Sequence, residues 1–338
     1  MARGRPSRES VYARMEPAAR DLQRLGGLPS PSESGAIWDD IWHLDAHNST
    51  ALEGNTLVLR EVEELLDRGR AVGSKDLKDY LEVLGYGRAA RWVYSQALTK
   101  EHWQNDSLIT VTEVRQIHAE AMGQVWEIAP HPEADPKEGP GSFRRHDIHP
   151  FSGGMTPPPW PDVPAQMVTW VQQVEALGRE VMAGQVRPSC LPLSLAELHG
   201  SFERIHPFIG GNGRTGRLVM NLILIRLGWP PVIIFKRFRN QYLSALDRAD
   251  KRDNGPLAEL IARSVLENLE RLVVPNIAGP ARLVPIKSLA NDEVSYEALR
   301  RAAIRGRLQA ELATDGTWRS SGHAVKTYLA NRHKRSSS

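Results

Sequence analysis

The chain has 338 residues, 41% of them hydrophobic and 25% charged, with a formal net charge of +3. This is an ordinary soluble composition with room for two or three domains. A single cysteine, Cys190, excludes an intrachain disulfide and fits a reducing cytosol, the apolar runs near Leu222 and Val232 are too short to cross a bilayer, and MARGRPSRES lacks the apolar core of a signal peptide.

The charge is uneven. Residues 281–338 hold eleven Lys/Arg against five Asp/Glu, so a basic tail follows a slightly acidic body. Such a tail points to a nucleic-acid or acidic partner.

In chain order, residues 1–34 read as a polar arm with one short helix and a Gly/Pro/Ser loop. From Ala36 to Leu98 three helical stretches follow, and VTEVRQIHAEAM adds another between Ser107 and Val125. His118 within it reads as a packed core histidine. Ile128 to Pro161 is rich in Pro and Gly, and its short β-capable pieces predict a hairpin. Asp162 to Val181 is amphipathic. Leu195, Leu198, Phe202 and Ile205 place one apolar face on a helix that Pro192 opens and Pro207 closes. The last helices run from about Arg239 and from Leu257 to Val274, before the linker PNIAGPARLVP.

The stretch His206–Arg217, HPFIGGNGRTGR, is where chemistry concentrates. His206 stands at a helix end. Gly210, Gly211, Asn212 and Gly213 tolerate positive φ, so backbone N–H groups can face one concavity. A glycine-rich turn opening a buried helix is a ready anion site. Arg214 and Arg217 lie one helical turn apart against the helix dipole, which makes sense if a polyphosphate sits between them. Gly211, Gly213 and Gly216 formally satisfy G-x-G-x-x-G, but a helix rather than a strand precedes them.

HPFIGGNGRTGR resembles the signature of the Fic family, H-P-F-x-[D/E]-G-N-G-R-x-x-R. The family mostly transfers AMP from ATP to a Ser, Thr or Tyr hydroxyl of a protein. The resemblance covers roughly residues 35–275 and implies a mainly α fold, a helical bundle with a β-hairpin flap. It makes His206 the general base, places Gly211, Asn212, Gly213 and Arg214 around the α- and β-phosphates, and puts Arg217 on the γ-phosphate. Ser152, Gly153, Gly154 and Met155 would form the flap tip over the nucleotide, and Tyr242 would line the adenine site. The flap, 141–159, would hold a target protein segment by strand addition. The family binds Mg²⁺ through an acid where this chain has Gly210. ATP with Mg²⁺ or Mn²⁺ is thus implied, but the protein's own metal ligand is missing, and no metal-binding residue is nominated. Ser49-Thr50-Ala51-Leu52-Glu53-Gly54-Asn55 resembles the family's inhibitory motif, [S/T]-x-x-x-E-[G/N]; Ser49 belongs to it, and Glu53 would pair with Arg217 in place of phosphate.

His146, His149, His199 and His206 lack metal-ligand spacing. His199 reads as a packed residue beside the site. The segment from Ser288 resembles a small winged helix, with Ala298–Ile304 as recognition helix, a Thr314–Ser320 wing, and Arg300, Arg301, Arg305, Arg307 and Arg319 available to nucleic acid. A protein-interaction module of the same fold is the equal alternative. The expected division is 1–104 (helical, with the inhibitory helix), 105–278 (catalytic) and 285–338 (winged-helix-like). The expected function is a cytoplasmic, self-inhibited protein adenylyltransferase without membrane contact. The alternative is a nucleotide-binding regulator with weak or no transfer, because of Gly210. A homodimer is left open.

Overall fold

The computed structural model describes residues 6–24, 27–31, 34–99, 103, 107–150, 154–273, 283–291, 293–312 and 316–332. The N-terminal arm holds two helices where the sequence suggested one: α1 (Arg8–Ala13) and α2 (Met15–Arg24). Pro17 cannot donate the bond that would continue α1, so the chain restarts. Both pack inward through Val11, Met15 and Leu22.

Next come α3 (Gly35–Leu52), α4 (Leu59–Arg68), α5 (Leu77–Leu98) and α6 (Val111–Ile128). Thr110 and Glu113 form a capping box that starts α6. The bundle continues with α7 (Val163–Met182), α8 (Leu191–Ile205), α9 (Asn212–Arg226), α10 (Arg239–Asp250) and α11 (Gly255–Asn268), which runs into a π-helical turn at Leu269–Val273.

Helix α9 is buried along its whole length, as its nearly all-round apolar sequence predicts. Its neighbours α5, α6 and α8 surround it. Gly85 lets α5 approach α6 closely: a Cβ there would lie 2.5 Å from the Ala121 carbonyl oxygen. At the far end of α9, Arg226 pairs with Glu113 of α6 at 2.7 Å, and both side chains are buried. Arg226 also donates to the Leu108 carbonyl at 3.0 Å. The charge is therefore both paired and hydrogen-bonded, the condition under which burial is tolerable.

The 141–159 segment departs from the hairpin expectation: its described residues form no strand. Pro157, Pro158 and Pro159 have no N–H to donate to a ladder. The Arg144 guanidinium joins the two legs instead, donating to His146 O at 3.1 Å and Pro158 O at 2.6 Å.

Beyond the bundle, β1 (Val284–Pro285), β2 (Ala310–Leu312) and β3 (Trp318–Ser320) form an antiparallel sheet in the order β1-β3-β2. It packs with α12 (Tyr296–Ile304) and α13 (Gly322–Asn331) around Ile286, Val294, Leu299, Ala302, Leu308 and Val325. The hairpin begins at Ala310 rather than Thr314, which itself lies outside the described residues. Arg300, Arg301, Arg305 and Arg307 are exposed. Arg319 is not: it sits on the central strand between Glu311 and Pro285 and is buried, so it is removed from the group available to a nucleic acid.

Candidate active site

Helix α8 ends where Pro207 forbids its continuation, and His206 caps it at φ 46°, ψ 62°. That left-handed conformation is unusual for a residue other than glycine, and surrounding bonds must hold it. Arg144, with no exposed side-chain surface, supplies them. Its Nε donates to His206 O at 2.9 Å, and its backbone N–H donates to Pro207 O at 2.9 Å. No helical or strand periodicity marks Arg144, so the sequence reading missed it. A pair of arginines, Arg144 and Arg145, inside a proline- and glycine-rich segment was the available signal.

His206 Nδ1 lies 3.1 Å from the Glu203 carbonyl oxygen. The proton is therefore assigned to Nδ1, and Nε2 carries the lone pair. Burial lowers the imidazole pKa to about 4, so it is neutral at pH 7. A neutral imidazole in this tautomer has the chemistry of a proton acceptor at Nε2.

The turn after it is clamped from within and from behind. Asn212 accepts from Phe208 N at 2.9 Å and donates to Phe208 O at 2.7 Å. His118 of α6 is a packed core histidine, as expected, and does more. Its Nδ1 accepts from Gly141 N at 2.8 Å, which leaves Nε2–H to donate to Gly210 O at 2.9 Å. The ring stacks on Phe208 at 3.7 Å, and burial lowers its pKa to about 3. A neutral histidine of one tautomer thus ties the flap segment to the glycine turn.

Gly211 caps α9 at φ 75°. Arg214, in the first turn, is buried; Glu82 lies 3.4 Å away, yet its Nε has no hydrogen-bond partner among the described residues. A buried guanidinium with an unused donor at a helix N-terminus is suited to an anion.

Arg217 is engaged through two of its three guanidinium nitrogens. Its Nε donates to Ser49 Oγ at 2.7 Å, and one terminal nitrogen donates to Ser49 O at 2.9 Å and to Glu53 Oε1 at 2.8 Å. Glu53 is the C-cap of α3, and its oxygen lies 2.6 Å from where a Cβ on Gly213 would stand. The carboxylate thus rests on the glycine turn itself. Burial would raise its pKa, but the charge and hydrogen bond of Arg217, with Arg214 and Arg239, leave it below the usual carboxylate value. Arg239 Nε holds the end of α3 by donating to Leu52 O at 2.7 Å.

Other sequence-nominated residues fall as follows. Ser152 and Gly153 lie outside the described residues. Gly154 reaches α10, since a Cβ on it would lie 3.3 Å from Asp247 Oδ1, and Met155 is buried. Tyr242, nominated for the adenine site, is 2% exposed, shares a 2.7 Å hydrogen bond with His199, and lies 5.9 Å from the Arg217 guanidinium. Packed behind Arg217, its ring is not open to an adenine in this structure. The core also holds buried acids, Asp45 and Glu203, that the sequence did not disclose. Asp45 accepts from Tyr86 at 2.9 Å and Tyr94 at 2.7 Å, and burial raises its pKa to about 6. Burial raises Glu203 to about 7.

The divalent ion implied by resemblance does not fit the side chains present. Gly210 offers no oxygen ligand, and no cluster of three or more His, Cys, Asp or Glu suited to a metal occurs among the described residues.

Residues 108–224 match the sequence profile of the Fic/DOC family. That stretch of the chain therefore carries a Fic domain. It is 32% identical over 236 residues to a protein named protein adenylyltransferase Fic from Drosophila willistoni, covering 70% of this chain and 41% of that protein. The Drosophila yakuba protein of the same name is 32% identical over 250 residues, 74% of this chain and 44% of its own length. The chain therefore spans about two fifths of these curated relatives. Among solved structures, Fic-1 from C. elegans superposes with TM-score 0.61 at 25% identity, covering 78% of this chain and 72% of that one. A Fic domain containing signaling protein from Bacteroides thetaiotaomicron gives 0.63 at 22% identity, over 78% and 98%, a likeness of fold.

Proposed function

We propose that the chain is a protein adenylyltransferase that moves AMP from ATP to a protein hydroxyl and is self-inhibited by Glu53. The observation that carries this reading is a neutral His206 beside a glycine turn whose arginine donors are either unused, as in Arg214, or occupied by a carboxylate, as in Arg217. In the mechanism, His206 Nε2 takes the proton from the acceptor hydroxyl as its oxygen attacks the α-phosphorus. The turn from Gly211 to Arg214 holds the phosphates, so positioning and charge neutralisation supply most of the effect. Glu53 stands where the terminal phosphate would meet Arg217. The target segment docks along 141–159 by main-chain pairing. The exposed Arg300, Arg301, Arg305 and Arg307 suit an acidic partner, nucleic acid or protein, for 283–332.

Gly210 favours a second reading, a nucleotide-binding regulator with little transfer. Labelling with α-labelled ATP decides between them. Glu53→Gly is expected to raise incorporation into protein at least ten-fold, and His206→Ala in that background to abolish it. Tight ATP binding by Glu53→Gly without any label would favour the regulator.

A further inference from the structure

We propose that His131 replaces the missing metal ligand: its Nε2–H donates to the polyphosphate at the Gly211–Arg214 turn, so that AMP transfer runs without an ion held by the protein at residue 210. This inference rests on the AMP-transfer reading.

Gly210 immediately precedes the N-cap of α9, so a side chain there would border the phosphate cradle. The space such a side chain would enter faces an imidazole: a Cβ on Gly210 would lie 3.5 Å from His131 Cδ2. Cδ2 is bonded to Nε2, so this is the ring edge that carries the outer nitrogen. His131 Nδ1 accepts from Glu133 N at 3.3 Å, which puts the proton on Nε2 in the neutral ring. Nε2 has no partner among the described residues.

The loop that carries the ring is held in place. Pro130 and Pro132 flank the histidine, and Ala134 N donates to His131 O at 3.0 Å in the turn that follows. Farther along, the loop is tied to α6 by Arg115 Nε donating to Gly141 O at 2.7 Å and by His118. The same His118 holds Gly210 O, so one helix registers both the turn and the loop that carries His131.

The two arrangements are chemically complementary. An acid at 210 would recruit a cation, which would in turn face the phosphates. Glycine with a histidine N–H presents a donor directly. In the step it serves, the acceptor oxygen bonds to the α-phosphorus while the bond from that phosphorus to the bridging oxygen breaks. Pyrophosphate leaves with the electron pair, and the hydroxyl proton goes to His206. Negative charge grows on the departing oxygens, where a preorganised N–H donor is most effective.

The test compares Glu53→Gly with Glu53→Gly carrying His131→Ala, Gly210→Asp or both, each in EDTA and in MgCl₂. ATP binding by calorimetry and AMP incorporation from α-labelled ATP are read in parallel, after thermal unfolding has confirmed that each variant folds. Glu53→Gly is expected to bind ATP and to label in EDTA to within about three-fold of its level in MgCl₂. His131→Ala is expected to weaken binding in EDTA by about ten-fold, the scale of one charge-assisted hydrogen bond. The His131→Ala, Gly210→Asp pair should recover binding and labelling in MgCl₂ alone. Binding that needs Mg²⁺ in Glu53→Gly and is unchanged by His131→Ala overturns the proposal. If no variant labels, including Gly210→Asp in MgCl₂, the transfer reading fails, and the binding arm still decides whether His131 contacts the phosphates.

Discussion

Gly210 and Gly211 are adjacent in one turn and have opposite tolerances. Gly211 needs its left-handed φ, and a Cβ there would lie 2.5 Å from Met122 Sδ. Gly211→Ala is expected to cost about 1–3 kcal/mol by combining backbone strain with overpacking, measured by urea unfolding, and to weaken ATP binding. Gly210 is not left-handed and meets His131 only at van der Waals distance, so Gly210→Asp should leave the unfolding midpoint nearly unchanged. Arg144 makes the same point from the other side. Arg144→Lys keeps the charge but cannot reach His206 O, His146 O and Pro158 O together. We expect it to lower the transfer rate in Glu53→Gly protein by at least ten-fold, with a smaller change in ATP affinity, because it frees the strained His206 more than the phosphate turn.

Helix α3 works as an element through its last turn. Ser49 and Glu53 are four residues apart, so both face Arg217, and Gly54 at φ 105° turns the chain away directly afterwards. Glu53 keeps 39% of its side-chain surface exposed while Arg217 is nearly covered, so the contact lies at the mouth of the site, where a competing anion can reach it. Ser49→Ala is expected to loosen the pair without removing it, giving labelling between that of the unmodified chain and Glu53→Gly. Helices α5 and α6 depend on proximity instead. Gly85→Ala should destabilise the protein by about 1–3 kcal/mol in a denaturant titration, since the Ala121 backbone cannot withdraw.

At the scale of the molecule, the bundle core and the core of the 283–332 unit share no residue. A chain ending at Val273 is expected to keep its unfolding midpoint and its AMP incorporation. Stability should also follow pH through the buried histidines. Burial lowers His118 and His199 to about 3 and His206 to about 4, whereas the unfolded chain takes up these protons near pH 6.5. The unfolded state then binds more protons as pH falls from 6.5 to 4.5, and stability falls with it. Asp45 at about 6 and Glu203 at about 7 act in the opposite sense, but they are two groups against three. A melting temperature that drops from pH 6.5 to 4.5 is the expected result.

The sequence by itself determined the helical class, the end of α8 at His206, the glycine turn and the buried α9. These follow from local rules: apolar spacing, the steric demand of Pro207, and the freedom of glycine at positive φ. The pairing of the Ser49–Glu53 stretch with Arg217 was legible only through the resemblance of both motifs. The tertiary structure alone decided what depends on distant neighbours. It brought Arg144 to the carbonyl of a residue 62 positions away and His118 to one 92 away. It buried Tyr242 and Arg319, which local pattern had left open, and it set His131 against the bare face of Gly210. Side-chain periodicity reports which face of an element is apolar; it carries no information about which loop will close over that face.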